Sequence, residues 1–164
     1  MKRTVLWLVL AAALVFTGLL PFEATDASEL QPAHVLLVWQ DGGLVRTQCD
    51  ADAQGRGVTL EEAIWDMQRT ADGKLFLDTA EHIVFADGAP QLLMQAAENK
   101  KLRPAAHVWL LRGELPKVEQ AASFLKNRAG TVTLGRIRAA NLGAMMPQVP
   151  YLIQQDGRLM TVGA

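Results

Sequence analysis

Residues 82–97 read HIVFADGAPQLLMQAA and contain a strand signal and a helix signal separated by a break. His82 to Phe85 form an apolar run of strand length that is rich in β-branched and aromatic residues. Asp87 to Pro90 interrupt this run, and Pro90 suits a first helical turn, where its missing N–H needs no partner. The apolar residues of the following short helix are Leu92, Leu93, Ala96 and Ala97. The stretch therefore predicts a strand followed by a helix.

The alternation of strand and helix continues in both directions along the chain. Thr59 and Glu62 have the spacing of a capping box, and apolar residues at Leu60, Ala63, Ile64 and Met67 predict one buried face of a helix over 60–70. The polar, glycine-rich residues 50–57 predict a loop. The other predicted elements are strands at 34–39, 44–47, 75–77, 106–111, 151–153 and 158–162, and helices from Pro116 and within 133–144.

Strands that alternate with helices predict an α/β (α+β) fold, a single domain in which a mixed β-sheet carries three to four packed helices. The chain has 164 residues, 50% hydrophobic and 20% charged, with a formal net charge of −1. This composition excludes a disordered chain, and the near-neutral charge argues against a nucleic-acid partner.

The first 27 residues have the layout of a secretory signal peptide. Met1 to Arg3 are positively charged, residues 5–20 are almost entirely apolar, and Thr25 to Ser28 provide small residues for cleavage. We therefore expect residues 1–27 to be a signal peptide or a retained membrane anchor and residues 28–164 to form the domain. The protein would be exported, and either secreted or held at the membrane only through residues 5–20 if the segment is not cleaved.

Candidate chemical sites are few in this sequence. Asp50, Asp52, Gln54 and Glu61 have the spacing of oxygen ligands in a calcium loop, with Gly55 at the sixth position. Against a calcium site, the fifth position of the loop is a long Gln, Gly57 at the eighth position replaces the usual aliphatic residue, and a predicted strand precedes the loop. We therefore predict no metal, no cofactor and no catalytic residues, and structural or surface roles for His34, His82 and His107. Cys49 is the only cysteine, so no internal disulfide forms, and we expect it to be half-buried at the end of a strand.

An ordered series of short motifs is similar to the N-terminal domain of the Ger(x)C family, the C subunit of spore-germination nutrient receptors. The motifs are His34 to Trp39 with Asp41-Gly42, Thr59 to Ala63, Leu75 to Leu77 with Ile83 to Asp87, Leu102 to Pro104 with Val108 to Gly113, and Val149 to Tyr151 with Gly163. Asp78 and Thr79 stand where the family usually has Gly-His, and no cysteine follows the apolar segment as a lipid attachment site.

The resemblance implies a non-enzymatic binding or assembly domain with a membrane or envelope protein as its partner, related to germination-receptor complexes. The family has no catalytic residues to carry over. A second resemblance concerns the tail only, because Val149 to Ala164 is similar to the proline–strand–turn–strand end of thioredoxin-like domains. The alternative function is therefore a small extracytoplasmic thioredoxin-like domain without the redox cysteine pair, or another small exported enzyme.

Overall fold

The computed structural model describes residues 4, 5, 7, 30–86 and 90–163. Within these residues the chain forms nine strands, four α-helices and one 3-10 helix. The strands are β1 (Leu30–Pro32), β2 (Val35–Asp41), β3 (Leu44–Cys49), β4 (Gln54–Gly57), β5 (Lys74–Phe76), β6 (His82–Ala86), β7 (His107–Gly113), β8 (Tyr151–Gln155) and β9 (Arg158–Val162). The helices are α1 (Leu60–Thr70), α2 (Pro90–Glu98), α3 (Val118–Leu125) and α4 (Leu134–Asn141), and the 3-10 helix is Leu77–Thr79.

Seven strands form one mixed sheet in the order β4-β3-β2-β6-β7-β8-β9. The central strands β2, β6, β7 and β8 are parallel, while β3, β4 and β9 extend the sheet by antiparallel pairing. Parallel neighbours need crossover connections, and helices lie in the connections between the central strands. The predicted α/β fold of a single domain is confirmed. β1 and β5 form a separate two-stranded parallel sheet.

The two faces of the large sheet are covered unequally. Successive side chains of a strand point to opposite faces, so Leu36 and Phe85 belong to one core, which also contains the apolar faces of α1, α2 and α4. Val35, Val84 and Trp109 belong to the second core, to which α3 alone of the four described α-helices contributes. Three of the four described helices therefore cover one face, and one short helix covers the other.

Helix α1 has the predicted bounds, and its first turn is capped as the sequence indicates. Thr59 Oγ1 accepts a hydrogen bond from the Glu62 N–H at 3.2 Å, and the Glu62 carboxylate accepts one from the Val58 N–H at 2.8 Å. The helix packs directly on β4, where a Cβ added to Gly55 would collide with the backbone of Ala63 and Met67. A glycine at this position lets helix and strand approach more closely than any side chain would allow.

The structure corrects one predicted loop and the end of one predicted strand. The stretch predicted as a loop over 50–57 contains β4, which pairs antiparallel with β3. The strand predicted over 75–77 ends at Phe76, and Leu77 begins the 3-10 helix. The predicted strands at 34–39 and 44–47, and those at 151–153 and 158–162, form two antiparallel hairpins, whose two-residue loops, Gly42-Gly43 and Asp156-Gly157, have the positive φ angles of type I′ turns.

The predicted signal or anchor segment, residues 1–27, lies outside the described residues except for positions 4, 5 and 7. In the part of the chain that the structure describes, no helix has the length and apolar character that crossing a membrane requires. The break predicted at Asp87 to Ala89 also lies outside the described residues.

Candidate functional site

The amino-terminal ends of β2, β6 and β7 bring all three histidines to one edge of the sheet. His82 is the register partner of His107, and Val35, which follows His34, is the register partner of His82. The Glu81 and His82 N–H groups both donate to the His34 carbonyl oxygen, at 2.8 and 3.0 Å. We call this end of the three parallel strands, defined by His34, His82 and His107, the histidine edge; it is distinct from the lateral edges formed by β4 and β9.

His82 is the most constrained of the three side chains, since only 3% of its surface is exposed. Its Nδ1 accepts a hydrogen bond from the Trp109 indole N–H at 3.2 Å, so the proton of the neutral ring is on Nε2. Burial and then the neighbouring His107 lower the pKa of His82, while Glu81 and a hydrogen bond to the Leu125 backbone oppose the shift. The protein therefore holds this imidazole neutral and with a fixed orientation.

His107 stacks on His82 with 5.5 Å between the ring centroids, and its buried Nδ1 has no hydrogen-bond partner in the part of the chain that the structure describes. Two adjoining clefts of about 410 and 620 Å³ open at this edge and share Glu81, His82, Lys126 and Asn127. Both clefts are open to solvent, and their linings combine charged and polar side chains with apolar surface. The Trp109 indole N–H occupies Nδ1 of His82, so this nitrogen is neither a free general base nor a free ligand. The structural or surface role of His82 stays a prediction.

The four residues of the calcium-type spacing do different things in the structure. The Asp50 carboxylate accepts hydrogen bonds from the His34 and Val35 N–H groups, at 2.8 and 3.1 Å. Asp52 has a positive φ in the turn between β3 and β4, Gln54 begins β4, and Glu61 lies on the first turn of α1. Among the described residues no group of three His, Cys, Asp or Glu side chains is arranged to hold a metal ion.

Cys49 ends β3, as expected, but it is fully buried rather than half-buried. Burial raises the pKa of its thiol, with smaller opposing hydrogen bonds from the backbone of Ala51 and Ala53. The thiolate is the reactive form of cysteine. The environment of Cys49 therefore disfavours reaction with solvent oxidants or disulfides.

Five exposed large apolar side chains lie in the sequence between the end of α4 and the end of β9, a feature that the motif analysis did not single out. Leu142, Met145 and Met146, in the segment between α4 and β8, are 90%, 92% and 46% exposed. We call these three residues the methionine segment. On β9, Met160 and Val162 are 47% and 52% exposed. The sequence alone indicated an exposed apolar side chain on β9, since adjacent apolar residues at 159 and 160 place apolar side chains on both faces of one strand.

No family model, curated protein or solved structure matches the chain. The exposed surface and the sites described above are therefore the structural basis for a proposed function.

Proposed function

We propose that the protein is an exported, non-enzymatic binding or assembly domain that acts outside the cytoplasmic membrane through contacts with a membrane or envelope protein. Because of its Ger(x)C-like motifs, we propose that the protein belongs to a complex of the germination-receptor kind. The observation that carries the proposal is the methionine segment, in which three large apolar side chains are exposed within five residues.

The energetics of the methionine segment favour a protein partner. Full burial of a Leu or Met side chain contributes about 1.5–3 kcal/mol, and Leu142 and Met145 have almost all of their surface left to bury. Clustered exposed apolar residues are typical of interaction sites. Methionine is suited to such contacts because its flexible thioether adapts to irregular surfaces.

The titratable groups support a binding role rather than a catalytic one. Nδ1 of His82 accepts the Trp109 indole N–H in a buried site, and the Cys49 thiol is buried with a raised pKa. A redox or nucleophilic site needs an accessible, activated group. These observations disfavour the alternative of a thioredoxin-like or other small exported enzyme.

Photo-crosslinking in the intact cell tests the proposal. A photoreactive residue replaces Met145 in the full chain, and a matched chain carries it at Val58, which is 69% exposed but lies before α1. We expect the Met145 position alone to give a crosslink to one membrane or envelope protein, and Met146→Glu to abolish that crosslink. A folded, exported chain that gives no crosslink from Met145, or an equal pattern from both positions, contradicts the proposal.

A further inference from the structure

The two edges of the seven-stranded sheet differ in whether another strand can reach them. At one edge, α1 covers β4 so closely that Gly55 and Gly57 have no room for a side chain. The Arg56 N–H on this strand is also occupied, since it donates to Asp66 Oδ2 at 3.1 Å. The helix therefore closes the β4 edge to strand addition.

At the other edge, β9 pairs with β8 and with no other strand among the described residues. The two-residue loop 156–157 makes Gln155 and Arg158 a hydrogen-bonded pair, and such pairs alternate along an antiparallel ladder. Met160 and Val162 therefore direct their backbone groups toward β8. Leu159 and Thr161 direct theirs outward, and in the described residues neither has a backbone partner on that side.

Within the described residues, the β9 edge also lacks the devices that usually prevent strand pairing. Proline, inward-pointing charge, bulges or a covering helix protect most edges. β9 contains one charged residue, Arg158, at its start, and its register with β8 is regular over all five residues. Its outer side chains on one face, Met160 and Val162, are about half exposed. The strand thus offers free backbone groups next to apolar side chains.

We propose that β9 pairs antiparallel with β9 of a second copy of this chain, around a twofold axis at Met160. In this register Leu159 of each copy lies opposite Thr161 of the other, so the outward backbone groups form four hydrogen bonds. The two Met160 side chains meet at the axis, and Arg158 lies opposite Val162, so no like charges face each other. The register is self-complementary, which is the condition that a twofold interface requires.

The closed β4 edge limits this association to two copies. Pairing of β9 with β4 of another molecule would repeat from copy to copy and form an open fibre, but α1 occupies that position. Joining two seven-stranded sheets through β9 yields one continuous sheet of twice seven strands whose outer edges are both covered. The inference is independent of the proposed function, which depends on the methionine segment.

Sedimentation equilibrium of the full chain in density-matched detergent measures the association. We expect the average mass to rise from one copy to two with concentration and to rise no further. Thr161→Pro removes an outward N–H and keeps the inward ladder to β8, so it should preserve the circular dichroism spectrum and lose the dimer. Met160→Pro is the matched variant, since it removes an N–H that β8 needs and should destabilise the fold instead.

Disulfide trapping provides a second measurement that does not depend on the proline variant. Facing residues of a non-hydrogen-bonded pair have Cβ atoms about 4.5–5.5 Å apart, which small adjustments bring to disulfide geometry. Met160→Cys should therefore form a covalent dimer on mild oxidation, whereas Met145→Cys, at a residue that is more exposed, should not. The inference is overturned if the wild-type chain stays a single copy, if the mass rises beyond two copies, or if the dimer persists in folded Thr161→Pro. Equal trapping at both cysteines also overturns it.

Discussion

The stability of the protein should fall as the pH falls below neutral because of His82. In the folded state Trp109 donates to Nδ1, so a proton added there would place two N–H groups against each other in a buried site. Burial, and then the neighbouring His107, lower the folded-state pKa of His82 below the ordinary value of 6.5. Between the two values the unfolded chain binds a proton that the folded chain does not, so stability is complete above 6.5 and decreases toward acid.

The size of this effect follows from proton linkage. One proton contributes up to about 1.4 kcal/mol per pH unit, so the loss between pH 6.5 and pH 5 can reach about 2 kcal/mol. Asp66, whose pKa is lowered by the Arg69 side chain and the Arg56 N–H, loses its favourable contacts only at lower pH, so it does not act in this window. Urea unfolding at pH 5, 6, 7 and 8, followed by tryptophan fluorescence, measures the change.

Two variants distinguish His82 from the other groups of the histidine edge. His82→Gln retains an acceptor for Trp109 and cannot titrate, so its stability should be nearly constant between pH 5 and 7. His34→Gln changes an exposed residue at the same edge and should retain the wild-type slope. If the wild type and His82→Gln show the same pH dependence, or if acid stabilises the wild type, His82 is not the cause of the loss of stability in acid.

Three further predictions concern packing, capping and the thiol. Gly55→Ala should cost about 2–4 kcal/mol of unfolding free energy because its methyl group would collide with the backbone of α1, while Gln54→Ala, at an exposed neighbour, should change it by less than about 0.5 kcal/mol. Thr59→Ala should cost about 1 kcal/mol by removing the N-cap; an unchanged thermal midpoint would contradict that role. In the native protein Cys49 should react with a thiol reagent only at the rate of unfolding. Reaction as fast as in urea would show that the thiol is accessible in the folded protein.

Local signals predicted the elements that depend on local interactions. Helix α1 was predicted with its bounds because the capping residue Thr59 and the apolar period of the helix lie within a dozen residues. β4 was missed because the sequence of its four residues, Gln54 to Gly57, contains no apolar side chain. That strand exists because β3 pairs with it and α1 packs on its glycines, and both are tertiary contacts.

The histidine edge was beyond the reach of sequence spacing. His82 and His107 meet because β6 and β7 are parallel neighbours in a particular register, and a register between strands separated by a helix is set by packing across the whole sheet. The calcium-type spacing shows the converse, since Asp50 and Glu61 have a suitable separation in the chain, but β4 lies between them. Spacing of the calcium-loop type brings its oxygen ligands together only where the intervening chain folds as that loop.

The consecutive pairing of β2, β3, β4 and α1 has a consequence for how the chain acquires its structure. These elements are contiguous over residues 35–70 and each contacts its neighbour in sequence, so their contacts close short loops and can form early. β8 must instead find β7 across the two helices that separate them, a slower step. On a ribosome, where the amino-terminal part emerges first, we expect the covered edge to be complete before β9 is made. When β9 is made, the strands of its own sheet would already be available for pairing, which shortens the time in which β9 can pair with the wrong strand.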